Sequence, residues 1–241
     1  MPDEPTDKAE RVRRVFSRIA PHYDLLNTLM TFGLHRKWRR ATLRLAGGMP
    51  GDGCGLDLCC GTGDYIREML VASGGTAHVT GVDFAEPMLE LARRRFPREV
   101  ADGRVKLIQA DVTDLSFLPE NHFDLVTSGF GLRNVDALSP VLAGSYRVLK
   151  PSGLFVSLDV SRPFRWGWAP FSECYLRVIV PALAALIAGG PREYRWLHES
   201  LATFPDRREL AGLLEQAGFS MQRQLSYGLG VVAVHVARKA C

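Results

Sequence analysis

The sequence predicts an α/β fold in which a doubly wound, mostly parallel sheet is covered by helices on both faces. Short apolar or β-branched runs alternate along the chain with helical patterns, and such alternation produces parallel strands joined by crossover helices. A glycine-rich turn and several acidic residues directly follow these runs, where a parallel sheet gathers its ligand-binding loops. The 241 residues, 46% apolar and 23% charged, predict a single domain over 1–241.

The first fifty residues are predicted to form a helical N-terminal cap. Segment 1–50 combines helical periodicity with two interruptions, at Pro21, which lacks a backbone N–H donor, and near Gly33. The pattern therefore predicts separate helices on either side of each interruption.

Segment 51–160 carries the alternating pattern and is predicted to be the cofactor-binding core. Five apolar or β-branched runs are predicted strands, at 53–57, 77–82, 105–108, 123–127 and 154–158. Helices are predicted at 64–72, 87–96 and 141–149, the last closed by a turn at 150–153.

Beyond residue 160 the alternation stops. Segment 163–205 is mostly helical in pattern and rich in Trp, Tyr and apolar residues. It is predicted to be a helical substrate lid, although a helix buried in the core would show the same periodicity. Segment 206–241 is predicted to hold a C-terminal helix and strands, including one at 231–237.

Positive charge is concentrated near the N-terminus. Ten Lys and Arg between Lys8 and Arg44 stand against Glu10 and Asp24, a net +8 in a chain of net +4, so the other residues sum to −4. Apolar residues are interleaved with these cations. The mixture suits an anionic membrane surface, and equally a solvated helix face whose other side is buried. Nucleic acid is not expected as a partner, because no RNA- or DNA-binding motif accompanies the charge.

The start of the chain and its cysteines bear on compartment and redox state. The first residues are acidic, unlike a secretory signal, and no apolar stretch is long enough to span a bilayer. A cytoplasmic protein, peripherally associated with the inner face of the membrane, is predicted. The five cysteines show no C-x-x-C spacing, which predicts reduced thiols and no metal site.

A Gly-Thr-Gly turn lies where the first predicted strand leads into a helix. Gly61 and Gly63 let backbone N–H groups approach a ligand closely. A dinucleotide site would carry a third glycine at position 66, but Ile66 stands there, which argues against NAD. S-adenosylmethionine has no phosphate. Its amine can meet Asp57, and its carboxylate can use the helix N-terminus.

Acidic residues at the ends of the next two strands strengthen this prediction. Asp83 stands 20 residues after Gly63, where acidic residues of nucleotide-binding α/β folds accept hydrogen bonds from the ribose hydroxyls. Asp111 can accept from the adenine amino group, beside the backbone N–H of Val112. Thr62 is expected to shape the loop. The alternative role for each aspartate is a loop cap.

Several motifs resemble those of one known family. They are YDLLN at 23–27, GLH at 33–35 with Trp38, FGLRN at 130–134, RVLKP at 147–151, YRWLHES at 194–200, FPD at 204–206 and GVVAVH at 230–235. Together they cover nearly the whole chain and are similar to the ubiquinone/menaquinone biosynthesis C-methyltransferases. The glycine turn alone would fit any class I methyltransferase.

The resemblance implies a seven-stranded sheet and the C-methylation of a polyprenylated quinol. Demethylmenaquinol is the first expectation for the acceptor, and the benzoquinol precursor of ubiquinone is the second. Methylation of another aromatic small molecule and a non-enzymatic, cofactor-binding scaffold stay open as alternatives. A lipid-tailed quinol lies in the bilayer, which gives the basic segment and the lid a purpose. A homodimer also stays open.

The resemblance and the strand-end pattern together define the expected cofactor site. Its residues are Asp57, Gly61, Thr62, Gly63, Asp83, Phe84, Asp111, Val112 and Gly129. The chain departs from the family pattern at Gly129, where serine is usual, at Asp159 in place of glutamate, and at Cys59-Cys60, where small residues are usual. These departures leave room for a different ring or tail.

Catalysis is expected from Arg133, Asn134 and Asp159. Methyl transfer to an aromatic carbon needs in-line geometry, an ionised ring hydroxyl and exclusion of water. Arg133 is expected to stabilise the phenolate or orient a water, Asn134 to fix the ring, and Asp159 to supply the acidic group. A loop-ordering arginine and a helix-capping aspartate are the alternatives. The expected substrate contacts are Tyr23, Asn27, His35 and Tyr194, although histidines in such positions are more often structural.

Overall fold

A computed structural model describes residues 8–161 and 204–240. The N-terminal part forms three helices, α1 (Lys8–Ile19), α2 (Tyr23–Met30) and α3 (Leu34–Leu45). A 3-10 turn at Ala20–His22 contains Pro21 and separates the first two, and Gly33, with a φ of 71°, separates α2 from α3. Both predicted interruptions are confirmed.

Strands and helices then alternate along the chain. They are β1 (Cys54–Leu58), α4 (Asp64–Ala72), β2 (His78–Asp83), α5 (Glu86–Arg95), α6 (Pro97–Ala101), β3 (Val105–Gln109), β4 (Phe123–Gly129), α7 (Leu138–Val148), β5 (Leu149–Val160), α8 (Arg207–Gln216), β6 (Phe219–Tyr227) and β7 (Val232–Lys239).

The strands form one seven-stranded sheet in the order β3-β2-β1-β4-β5-β7-β6. Neighbours from β3 to β5 are parallel, whereas β7 runs antiparallel to both β5 and β6. The predicted doubly wound, mostly parallel sheet is therefore confirmed. The strand order reverses between β1 and β4, and a reversal of this kind opens a crevice at the carboxyl ends of the two strands.

Apolar side chains cover both faces of the sheet. On one face Tyr65 and Ile66 of α4 pack with Leu43 of α3. On the other face Leu142 of α7 packs with Leu214 of α8. Parallel strands buried on both faces tend to be apolar over their whole length, and this is why the central strands were visible in the sequence.

Two details differ from the sequence prediction. The turn predicted at 150–153 was wrong, because these residues belong to β5. Leu149 already pairs with Phe123, and the register shifts before Leu154 pairs with Leu125. Ser152, with a φ of 65°, marks this irregularity. The sequence also gave no position for β6, an edge strand whose exposed residues are polar and obscure the strand pattern.

Within residues 8–161 and 204–240, no helix combines the length and the apolar character needed to cross a membrane. The predicted lid at 163–205 lies outside the described residues, apart from Phe204 and Pro205.

Candidate active site

A cavity of about 450 Å³ lies at the carboxyl ends of β1 to β4, a volume typical of small-molecule sites. Its walls come from the loops after these four strands and from the N-terminal helices. They are Phe16, Tyr23, Cys59, Gly61, Asp83, Phe84, Met88, Gln109, Ala110, Asp111, Val112, Phe130, Gly131, Asn134, Val135 and Asp136. Many of the residues predicted for the cofactor thus meet at one place.

The glycine turn after β1 brings backbone N–H groups to this cavity. Gly61 and Gly63 have φ values of 54° and 85°, in the left-handed region that favours glycine. The Gly61 N–H donates to Oδ2 of Asp83 at 2.8 Å. A Cβ on Gly63 would lie 2.5 Å from Cε2 of Phe96, so no larger residue fits without displacing that ring.

Asp83 at the end of β2 is buried and borders the cavity. Its Oδ2 accepts the Gly61 N–H and its Oδ1 accepts the Ala85 N–H at 2.9 Å. Burial raises the pKa of Asp83 to about 6, although the backbone hydrogen bonds oppose the rise. A carboxylate oxygen can accept more than one hydrogen bond. Capping the loop and binding a ligand are therefore compatible roles for this side chain.

Asp57 in β1 borders a second, small cavity of about 10 Å³, which shares Tyr23 and Cys59 with the larger one. Its Oδ1 accepts a hydrogen bond from Oγ1 of Thr127 at 2.7 Å. Burial raises the pKa of Asp57 to about 7. No described residue forms an ion pair with this carboxyl group, which leaves it available to a cationic ligand group.

Asp111 and Val112 follow β3 on the cavity wall. Oδ1 of Asp111 accepts from both the backbone N–H and the hydroxyl of Thr113 at 2.8 Å, so this aspartate does cap its own loop. Its other oxygen makes no hydrogen bond to a described residue. Phe84, after β2, borders the same cavity and meets Phe16 of α1 edge to face at 6.4 Å.

Asp24 ties the N-terminal helices to the glycine turn. Its Oδ1 accepts from Oγ1 of Thr62 at 2.7 Å, and its Oδ2 accepts from Nη2 of Arg95 at 2.6 Å. Nη1 of Arg95 also donates to the carbonyl of Thr62 and to Oδ1 of Asp64, both at 3.0 Å. The Thr62 hydroxyl therefore bonds to the protein itself and helps to shape the loop.

His35 lies in a buried charged cluster with Arg39 and Asp64. It is buried, and it borders neither cavity. Its Nδ1 lies 2.8 Å from Nη1 of Arg39 and 3.4 Å from Oδ2 of Asp64. Burial alone would raise the pKa of Asp64, but the hydrogen bond with His35 and the charges of Arg39 and Arg95 hold this pKa well below its usual range. His35 therefore helps to hold this charged cluster, and its predicted contact with the substrate stays a prediction.

Arg133 and Asp159 form a buried ion pair next to the cavity. Nη1 of Arg133 donates to Oδ1 of Asp159 at 3.2 Å, and the Arg133 backbone N–H donates to Oδ2 at 3.3 Å. Burial raises the pKa of Asp159, and the charge of Arg133 opposes the rise. Neither residue borders the cavity, whereas Asn134 does. Nε of Arg133 and Oδ1 of Asn134 are buried without a hydrogen-bond partner among the described residues.

The remaining predicted residues are placed as follows. Tyr23 borders both cavities, and the buried Asn27 one helical turn later has an unpartnered Nδ2 within the described part of the chain. Gly129 borders the small cavity. A Cβ there would lie 2.7 Å from Cε2 of Tyr65. Tyr194 lies outside the described residues.

Two site residues, Arg39 and Arg95, were missed by the sequence prediction. The buried positions of α3 are His35, Arg39, Thr42 and Leu43, a helical spacing that puts Arg39 on the same face as Leu43. Attention to this spacing would have found Arg39. The contact of Arg95 with Asp24 joins positions 71 residues apart, and no local pattern signals such a contact.

Comparison with known proteins gives one consistent family. The family model described as "ubiE/COQ5 methyltransferase family" matches residues 5–239. A demethylmenaquinone methyltransferase of Listeria monocytogenes is 41% identical over 228 residues, which cover 95% of each chain. Its namesake from Geobacillus kaustophilus is 40% identical over 232 residues, covering 96% of this chain and 98% of the relative.

Solved structures share the architecture at low identity. A SAM-dependent methyltransferase from Aquifex aeolicus superimposes with a TM-score of 0.58 at 18% identity, and the match covers 83% of this chain and 88% of that one. At this identity the likeness shows the fold alone.

Proposed function

The chain belongs to the ubiE/COQ5 methyltransferase family, and on this premise we propose that it transfers a methyl group from S-adenosylmethionine to a ring carbon of demethylmenaquinol. The acceptor rests on the match over 95% of the chain to a relative named demethylmenaquinone methyltransferase. The benzoquinol precursor of ubiquinone and other aromatic molecules are the competing acceptors.

The residues of the site fit S-adenosylmethionine. The larger cavity has room for a nucleoside, with spare acceptor capacity on Asp83 for ribose hydroxyls and on Asp111, beside Val112, for the adenine edge. Asp57, buried beside the small cavity without an ion pair to a described residue, fits an ammonium group. Gly61 and Gly63, which have no side chains, leave the backbone N–H groups of the turn between β1 and α4 accessible to a ligand.

S-adenosylmethionine supplies an electrophilic methyl carbon, which forms a C–C bond to the ring while its sulfur keeps the electrons of the broken C–S bond. The chain has to position the quinol and favour loss of its hydroxyl proton, because the phenolate makes the ring carbon nucleophilic. The ring proton leaves afterwards to restore aromaticity.

Arg133 and Asn134 are the groups that we assign to this task. Arg133 is permanently charged, Asp159 fixes its guanidinium group, and its buried Nε–H is unpartnered among the described residues, so it can stabilise a phenolate oxygen. Asn134 can hydrogen bond the ring from the cavity wall. Tyr23 and Asn27, with Tyr194, are the further proposed substrate contacts.

A lipid-tailed quinol has to be met at a membrane, and we propose that α2 and α3 provide the contact. Exposed apolar residues lie on α2 and around the turn that follows it: Leu25, Leu29, Phe32 and Leu34. Exposed cations follow on α3: Arg36, Lys37, Arg40 and Arg44. An exposed apolar turn beside a basic helix face is complementary to the anionic inner face of a membrane.

The test is methyl transfer from labelled S-adenosylmethionine to chemically reduced short-chain demethylmenaquinone in detergent, with the benzoquinol precursor as a second acceptor. Wild type is expected to methylate the naphthoquinol. Asp83→Ala should raise KM for the cofactor, because two loop N–H groups and the ribose lose their acceptor. Arg133→Ala should lower kcat by at least about 100-fold, as loss of an electrostatic stabiliser does.

A matched control is Arg93→Gln, which removes a partly exposed cation paired with Glu86 and Glu90 on α5 and should leave the rate unchanged. If wild type binds the cofactor but methylates only the benzoquinol, the acceptor assignment is wrong. If it binds the cofactor and methylates neither, the scaffold alternative gains support.

A further inference from the structure

Arg39 is a buried cation with an unused donor. It lies on α3 with 3% of its surface exposed. Its Nη1 is 3.1 Å from Oδ2 of Asp64 and 2.8 Å from Nδ1 of His35. Its Nε has no hydrogen-bond partner among the described residues. A buried charged N–H group without an acceptor is costly, so a ligand atom is expected to complete it.

The unused Nε faces the small cavity. Arg39 borders this cavity together with Asp57 and Gly129, and a Cβ built on Gly129 would lie 3.2 Å from Nε. The guanidinium carbon stands 5.7 Å and 5.2 Å from the ring centroids of Tyr65 and Phe130. Packing against these rings fixes the orientation of the guanidinium plane, so the donor is positioned before a ligand arrives.

Asp64 needs a counter-charge, but this need alone does not explain why the charge of Arg39 is buried here. Asp64 also pairs with Arg95 at 3.0 Å. In addition, Asp64 places a negative charge in the first turn of α4. A ligand carboxylate near that helix N-terminus would be repelled by Asp64 unless a cation stood beside it, and Arg39 is the cation that borders the cavity.

The charges around the small cavity complement a zwitterion. Asp57 forms no ion pair with a described residue, although the charge of Arg39 lowers its pKa, and Nε of Arg39 lacks an acceptor within the described part of the chain. An α-amino acid carries its ammonium and carboxylate groups on one carbon. The small cavity alone is too small for it, but a group placed at the wall that both cavities share, Tyr23 and Cys59, could satisfy both side chains.

We propose that Arg39 binds the α-carboxylate of the methionine part of S-adenosylmethionine through its Nε–H, opposite Asp57, which takes the ammonium group. The inference rests on the proposed cofactor and adds the residue that recognises its amino-acid end. It makes Arg39 the element of the site that distinguishes the full cofactor from nucleoside sulfides without a carboxylate.

The test compares two ligands by titration calorimetry. One is S-adenosylhomocysteine, and the other is its decarboxylated analogue, which keeps the ammonium group. Wild type should bind the first roughly 10- to 100-fold more tightly, the worth of a charge-assisted hydrogen bond. In Arg39→Met this ratio should fall close to one, with the analogue bound as in wild type. Arg39→Lys, which keeps the charge without the Nε–H, should show an intermediate ratio.

The control is Arg93→Gln on α5, which removes a partly exposed partner of Glu86 and Glu90 and should keep the wild-type ratio. A wild-type ratio near one overturns the inference without any variant, as does an Arg39→Met or Arg39→Lys protein that keeps the full ratio. Failure of wild type to bind either ligand counts instead against the proposed cofactor.

Discussion

The carboxyl group of Asp57 is buried in the central strand β1, where the charge of Arg39 only partly offsets the effect of burial on its pKa, and this should make stability depend on pH. Burial raises its pKa to about 7 from a usual value of 3.8. The folded ligand-free protein therefore favours the neutral form. The resulting stabilisation is complete below pH 3.8 and is lost as the pH rises through 7.

Asp57→Asn should remove this dependence, since an amide oxygen can still accept the hydrogen bond from Thr127. Relative to wild type, the variant should gain about 2 kcal/mol of stability between pH 5.5 and pH 8, roughly half of the full effect of a pKa raised from 3.8 to about 7. Urea unfolding at the two pH values measures the gain. A stability difference that stays constant with pH would contradict the assignment.

Gly129 stands where the family that the chain resembles usually has serine, and the structure gives a packing reason. A Cβ at this position would lie 2.7 Å from Cε2 of Tyr65, a buried ring held by a hydrogen bond to Thr42. Gly129→Ser should therefore destabilise the protein by about 1–3 kcal/mol, the usual cost of overpacking.

Thermal unfolding checks this expectation, with Gly212→Ala as the matched control. A Cβ on Gly212, in α8, meets nothing within 4 Å, and alanine favours the helix by about 1 kcal/mol, so this variant should be slightly more stable than wild type. If Gly129→Ser unfolds at the wild-type temperature, Tyr65 moves aside readily and the departure from serine has another origin.

At the scale of elements, the N-terminal helices hold Phe16 and Tyr23 against the cavity through few polar contacts. Asp24 bonds Thr62 and Arg95, and its pair with Arg95 is partly exposed. A pair of this kind contributes about 1 kcal/mol, roughly a fivefold change in a local opening equilibrium. Asp24→Ala should therefore speed tryptic cleavage at Arg14 and Arg18 several-fold while the main unfolding transition stays nearly unchanged.

Glu86→Ala is the control for this experiment, because it breaks a partly exposed pair with Arg93 on α5 and leaves the Asp24 contacts intact. S-adenosylhomocysteine should slow cleavage in wild type, since the cap borders the cavity. Equal cleavage rates for the Asp24 and Glu86 variants would show that Asp24 does not fasten the helices.

At the scale of the whole molecule, the strand and helix pattern was enough to predict the sheet and the edge of it at which the larger cavity lies. The central strands are apolar because both of their faces are buried. Asp83 ends β2 and Asp111 follows β3, and since these strands are parallel, both residues lie at the carboxyl edge of the sheet. Contacts between distant segments were not predictable. Asp24 with Arg95 and Arg39 with Asp64 depend on how α2 and α3 lie against the sheet, which no local pattern specifies.

The uneven charge of the chain leads to the last prediction. Residues 8–44 carry +8 and the remainder −4, so the molecule should orient its N-terminal helices toward an anionic bilayer. Phe32, 78% exposed, lies in the exposed apolar turn between α2 and α3. In liposome flotation, wild type should bind vesicles containing phosphatidylglycerol and lose binding as salt rises.

Two variants separate the contributions to this binding. Reversing Arg36 and Lys37 to Glu should weaken binding to anionic vesicles at least about tenfold, because each cation near the surface contributes about 1 kcal/mol. Phe32→Ser should weaken binding through lost apolar contact, whereas Val71→Ser, at a site 66% exposed on α4, should not. Equal flotation on neutral and anionic vesicles, or equal loss for the Phe32 and Val71 variants, would mean that the quinol reaches the site without this surface.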